Sequence, residues 1–288
     1  MDLRSPHRRG LAAGGLGLLA LALAVSTPAL GSVYPPGPGG SCPDTLTIYQ
    51  VQDPSATCHP ASGDTVQGFA GIVTAVDQIA PYYTFYLQAA AGGPWSGVRV
   101  MTAQTDYGFT PGDSVVVELS MVTEYWAETT AFPLDGGNNG TQIVLQRLSG
   151  GNPLPPFQLG TTHDFTPGPL SQPPPSPWEG CLVEIPAQVR VVRTSATGGF
   201  NNMADQFIVV DADGCPSGSP AGTVCDSVIV DGGSFTAFPL PPVGTIFQGI
   251  RGVFGRNLGY RIRLRSPSDV DETTTRTSWG AIKSRYAR

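Results

Sequence analysis

Apolar residues fall in short β-branched and aromatic runs, alternating with polar ones at Tyr82–Ala89 and Arg261–Arg265, and no segment after residue 32 sustains a 3.6-residue apolar period. Within Val66–Met101 the run VQGFAGIVTAVDQIAPYYTFYLQAAAGGPWSGVRVM reads as three strands. They are Val66–Val76, Tyr82–Ala89 and Gly97–Met101, joined by turns at Gln78–Pro81 and Ala90–Pro94. A turn at Thr110–Asp113 leads into a long Val-rich strand, Ser114–Glu128, bent near Ser120. A Gly/Asn loop at Asp135–Gly140 precedes a fifth strand, Thr141–Leu148.

The same element order recurs later in the chain. Gly180–Val192 takes the place of the first strand, Gln206–Val210 the second, Ser227–Val230 the third, Ile246–Phe254 the fourth and Gly259–Leu264 the fifth. Five strands with a long first one and a gap between the third and fourth are the order of an OB-fold, a small Greek-key barrel. The predicted fold is therefore all-β, with two tandem OB-fold-like barrels at 61–160 and 179–270. Residues 161–178, dense in proline, read as an extended linker between them. Residues 32–60 read as a Pro/Gly-rich lead-in with one strand at Thr45–Gln52, and 271–288 as a polar, then cationic and aromatic, C-terminal tail ending WGAIKSRYAR.

Composition supports short strands over long helices, since Gly (37) and Pro (28) together exceed a fifth of the 288 residues. The N-terminus has the layout of a secretory signal peptide over 1–31: Arg4, Arg8 and Arg9, then the apolar Leu11–Val25, then Ala29-Leu30-Gly31 before Ser32. The expected location is extracellular or periplasmic, with no membrane-spanning segment in the mature chain. The formal charge is −6, from 22 acidic and 16 basic residues. Removing Asp2, Arg4, Arg8 and Arg9 with the leader takes it to −8, a poor balance for a general polyanion binder. An exported chain can form disulfides. The five cysteines then read as two bridges, Cys42–Cys58 and Cys215–Cys225, with Cys181 a buried thiol. No C-x-x-C spacing or histidine cluster points to a metal, and no cofactor is expected.

Several stretches resemble the OB-fold domains that accompany secreted bacterial nucleases of the endonuclease/exonuclease/phosphatase type. They are Gly71–Val76, Phe85–Gln88, Trp95–Val100, Pro111–Asp113 before a strand ending Glu124-Tyr125, and in the second copy Trp178–Val183 and Tyr260–Asp269. The resemblance covers roughly 65–270. It implies a catalytic domain after the barrels, for which 288 residues leave no room, and hence a secreted accessory or binding protein that touches nucleic acid.

Candidate chemistry is sparse. Tyr83, Tyr86 and Arg99 fall on the second and third strands and are the candidate stacking residues for a nucleotide or sugar chain; by alternation Tyr86 and Arg99 face opposite to Phe85, Leu87, Val98 and Val100. Arg261, Arg263 and Arg265 alternate with Ile262 and Leu264, and with Arg251 they form a candidate anion-binding stripe. The alternative is a solvated face paired with neighbouring acids. Asp211-x-Asp213-Gly214 reads as a β-turn, since the later calcium ligands are missing. His59 and His163 fall in loops, and no catalytic residue is assigned. The expected function is a non-catalytic binding module for single-stranded nucleic acid, polysaccharide or another extended polymer. The alternative is a structural or protein-interaction component of the cell surface. A hydrolase using Asp106, Glu124 and Glu128 is a third reading without a motif.

Overall fold

The described residues form two closed five-stranded barrels, each built from the alternation that the sequence carries. The computed structural model of the chain describes residues 42–43, 45–77, 83–102, 107–125, 128–133, 145–165, 176–195, 205–212, 226–232, 238–256 and 259–272. The expected leader at 1–31, the Cys215–Cys225 bridge and the tail from 273 onward lie outside the described residues.

In the first barrel β1 (Thr65–Asp77), β2 (Tyr83–Gln88) and β3 (Gly97–Thr102) form an antiparallel meander. Strand β5 (Glu128–Pro133) lies parallel to β3 and antiparallel to β4 (Ser114–Tyr125), and β4 returns to β1, so the sheet closes in the order 1-2-3-5-4. This is the OB-fold order. Closure leaves the barrel proper without an edge strand. Phe69, Val73, Phe85, Leu87, Val98, Val100, Val115 and Val117 fill it.

The fifth strand is not where the sequence pattern put it. Ser114–Glu128 read as one strand because no Gly, Pro or Asn separates Tyr125 from Glu128, yet the chain reverses there with only residues 126–127 between β4 and β5. The segment expected to close the barrel, of which Leu145–Ser149 is described, is instead β6, hydrogen-bonded outside the closed set along β4. Thr45–Gln52, read as a strand, contains a short helix, α1 (Ile48–Gln52). Thr47 and Gln50 form a reciprocal capping box, and Leu46, Ile48 and Val51 pack into the barrel core.

The second barrel repeats the plan. Its first strand is split around Pro186 into β8 (Leu182–Ile185) and β9 (Val189–Thr194), because proline cannot donate to the ladder. Strands β10 (Gln206–Asp211), β11 (Ser227–Asp231), β12 (Ile246–Arg256) and β13 (Tyr260–Arg263) complete it, with β13 parallel to β11 as β5 is to β3. Thus β13 corresponds to β5, not to the 141–148 segment. Two short additions flank the barrel, β7 (Gln158–Leu159) on β8 and β14 (Val270–Glu272) on β12. Of the segment read as a linker, Phe165 is buried in the second core against Phe254, and Trp178 packs on that core.

Cys42 and Cys58 are bonded, closing a 16-residue separation around α1. Cys42→Ser combined with Cys58→Ser is expected to lower stability by about 3 kcal/mol, the chain-entropy value for a loop of this size, read from the denaturant midpoint.

Candidate functional site

The site is best built from the outer face of β2 and β3. Tyr83, Phe85 and Leu87 point into the barrel, so Thr84, Tyr86 and Gln88 point out, as do Gly97, Arg99 and Met101 on β3. The alternation is as predicted, but this outer face is covered. Ser32–Arg288 form one compact unit, and the second barrel packs on the face. Tyr86 has 0% exposure and shares an apolar cluster with Ala75 of β1, Leu182 of β8, Val253 of β12 and the connector residue Phe157.

Close approach depends on two glycines. A Cβ on Gly97 would lie 2.1 Å from the carbonyl carbon of Gly180, and one on Gly180 would lie 2.6 Å from that of Gly97. Around this backbone contact polar groups cross the seam. The Leu182 amide donates to Gln88 Oε1 at 3.0 Å, and Gln88 Nε2 donates to Ser96 Oγ at 3.0 Å. The Trp95 amide donates to the Pro177 carbonyl at 2.6 Å, with Trp95 held at φ 63°. Cys181, a buried free thiol, touches Ser96 Oγ at 3.3 Å. Burial pushes its pKa up to about 11, which leaves it unreactive at neutral pH.

At the centre sits Glu128, the first residue of β5, with 0% exposure. Tyr86 donates its hydroxyl to Glu128 Oε1 at 2.7 Å, while Arg99 and Arg263 approach Oε2 at 3.3 and 3.2 Å. The Arg263 guanidinium lies over the Tyr86 ring, 5.5 Å from its centroid. Thr129 next in the chain donates its amide to Glu179 Oε1 at 2.8 Å and its hydroxyl to Glu124 Oε1 at 2.7 Å. Burial pushes Glu128 up to about 7, against the pull of Arg99. Burial, then repulsion from Glu128, holds Glu179 well above the ordinary glutamate range. Burial draws Arg263 down to about 10.

The predicted contact residues are thus built into the protein rather than spread on an open surface. Tyr83 lies in the first core, accepting the Phe109 amide at 3.2 Å on its hydroxyl. Tyr86, Arg99 and Arg263 meet at Glu128. Arg261 is buried and pairs with Asp231 at 3.6 Å. Arg265 pairs with Asp269 at 2.7 Å, and Arg251 approaches the same carboxylate at 3.5 Å. The expectation of an exposed stripe fails because a closed barrel with a second barrel against it has little open outer face. Sequence reasoning named Glu128 only as a candidate hydrolase acid and gave Gln88 and Glu179 no role. Only Gln88, polar at the end of an apolar strand, carried a local signal.

One predicted residue remains open. Arg251, 42% exposed at its side chain, borders a cleft of about 460 Å³ on the second barrel, lined also by Glu184, Gln248, Gly249, Asp269 and Asp271. Phe157 stands beside it, with the Arg251 and Arg265 guanidinium groups 5.9 and 5.1 Å from its ring centroid. Asp106, Asp213 and Gly214 lie outside the described residues. Glu124 is exposed while Glu128 is enclosed, so these two acids do not face one open site. His163 is exposed and pairs with Asp226 at 2.9 Å. Among the described residues no cluster of His, Cys, Asp or Glu could hold a metal, and no helix is long and apolar enough to cross a membrane.

No protein-family profile matches the chain, and no curated protein sequence matches it. Solved structures align with the chain at low similarity. Fission yeast Pot1 with ssDNA aligns at 11% identity and TM-score 0.30, over 84% of this chain and 93% of that one. The tetrameric p202 HIN2 aligns at 10% identity and TM-score 0.29, over 70% and 90%. A candidate aspartyl-tRNA synthetase of Leishmania major Friedlin aligns at 10% identity and TM-score 0.26. That alignment covers 37% of this chain and 21% of the synthetase, so the chain spans about a fifth of that protein. Likeness at this level carries no argument about ligands, and the assignment of two OB-folds rests on strand order and direction.

Proposed function

We propose that the chain is an exported, non-catalytic binding module whose two OB barrels pack on one another and work by contact with a protein partner. One observation carries this reading. The arginines that would serve a polyanion are held by internal acids: Arg99 and Arg263 by Glu128, Arg261 by Asp231, Arg251 and Arg265 by Asp269. A net charge of −6 with a single lysine, Lys283, adds to it, since phosphate contacts dominate nucleic-acid affinity. Export is read from the basic and apolar segments that open the chain. The resemblance to nuclease-associated OB-folds fits an accessory role.

A second reading, an extended polymer such as single-stranded nucleic acid or polysaccharide, is favoured by the half-open Arg251 beside Phe157 at the cleft. Fluorescence anisotropy with single-stranded DNA, RNA and oligosaccharide, at low and moderate salt, separates the two. The expected result is no binding tighter than about 100 µM, the weak end of non-specific nucleic-acid affinity. Tighter, salt-sensitive binding that Arg251→Ala removes would replace the protein-contact reading with the polymer one.

A further inference from the structure

We propose that the junction between the barrels is a proton-dependent latch: while Glu179 carries a proton the second barrel stays locked over β2 and β3, and when Glu128 and Glu179 are both ionised the seam loosens and uncovers Tyr86, Gln88 and Arg99. This goes beyond the binding reading above and holds whatever the partner is.

The geometry supplies the two halves of the latch. Glu128 belongs to the first barrel and is gripped by Arg263 of the second at 3.2 Å. Glu179 opens the second barrel and is gripped by the Thr129 amide of the first at 2.8 Å. Each carboxyl is anchored across the seam, and the Thr129 amide that holds Glu179 belongs to the residue after Glu128, so both buried acids lie in one dry junction. Gly255 of β12 makes the fit possible, since a Cβ there would lie 2.8 Å from Glu128 Oε1 and 3.0 Å from the Arg263 guanidinium. Two buried carboxylates that repel one another in low dielectric cannot both ionise without strain.

The surrounding charges define which proton moves. Glu128 is faced by Tyr86 and Arg99 from β2 and β3, by Glu124 from β4, and by Arg261 and Arg263 from β13. Glu179 is faced by Glu124 and Glu128 from the first barrel, and by Arg256 and the Tyr260 hydroxyl from the second. The guanidinium groups in direct contact belong to Glu128, so Glu128 is the member that ionises first and Glu179 the member that keeps the proton. Both acids stand above their ordinary values in the closed protein. The closed state therefore binds more protons than the open one, and closure weakens as pH rises from the ordinary glutamate range through 7. The contact is fully present in acid and is lost toward alkali.

Cys181 is the built-in reporter, because it is buried in the seam beside Ser96. Maleimide labelling of Cys181, located by peptide mass spectrometry so that other thiols are not counted, is compared between the native chain and Glu179→Gln at each pH from 5.5 to 8.5. The ratio cancels the intrinsic pH dependence of the thiol. Glutamine keeps an acceptor for the Thr129 amide and cannot ionise. The expected ratio of native to variant labelling rises with pH, by up to about tenfold per unit for one linked proton. A ratio that stays flat would overturn the latch. Small-angle scattering of the native chain over the same range tests it without any substitution: the radius of gyration is expected to grow toward pH 8.5, and an unchanged value counts against it.

Discussion

Gly97→Ala is expected to cost this protein much of its stability through one added methyl group. The added Cβ would stand 2.1 Å from Gly180 backbone, a contact that no side-chain rotamer can relieve. Overpacking of a well-filled interior costs about 1–3 kcal/mol when side chains give way, and here two backbones must part, so the upper end applies. The seam also carries the Gln88, Trp95 and Glu128 bonds, which lengthen together once the barrels separate. Urea unfolding followed by fluorescence is expected to change from one transition to two, as each barrel keeps its own closed sheet. Gly63→Ala is the control: its φ of 96° gives it a left-handed cost that Gly97 does not bear, yet nothing lies within 4 Å of the new carbon. A Gly97→Ala protein that unfolds like Gly63→Ala would show that the barrels do not depend on this approach.

The second large effect is expected from Glu128→Ala. It leaves Arg99, Arg263 and the Tyr86 hydroxyl facing a void, with Arg263 enclosed and Arg99 only 14% exposed at its side chain. Removing one member of a buried ion cluster costs about 3–5 kcal/mol, because the remaining charges are not solvated. Replacing the whole cluster behaves differently. Glu128→Leu with Arg99→Met and Arg263→Met is expected to restore most of the lost stability, since no charge is then stranded. Denaturant midpoints of the single and triple variants decide it. If the triple variant is as unstable as Glu128→Ala, the seam depends on its hydrogen bonds rather than on avoiding unpaired charge.

These two expectations also show why the polar residues of the seam look unremarkable in the sequence. Glu128 follows Tyr125-Trp126-Ala127 without a turn residue, so it reads as the tail of β4 when it is the head of β5. Glu179 sits in a Pro-rich run, and Gln88 ends an apolar strand, where polar side chains are ordinary. None of the three carries a motif. The role of the two acids comes from Glu179 folding back, 51 residues after Glu128, to the amide of Thr129 beside it, which local pattern cannot express. The arginine stripe fails for a related reason. Period-two alternation correctly sets Arg261, Arg263 and Arg265 against Ile262 and Leu264, but it names the side of the strand and not what covers that side.

The sequence by itself determined the fold class, the duplication and the inward-facing residues, because a period of two and a Gly/Pro-rich turn chemistry act over a few residues at a time. It also determined the Cys42–Cys58 bridge, whose partners lie close along the chain. Tertiary structure alone decided which strand closes each barrel, since β5 and β6 have similar local character and only β5 can lie parallel to β3 while pairing with β4. It alone decided that the outer face of β2 and β3 meets a second barrel rather than solvent. That outcome turns on Gly97 and Gly180 arriving at the same point from 83 residues apart, and on the charges that follow them into the seam.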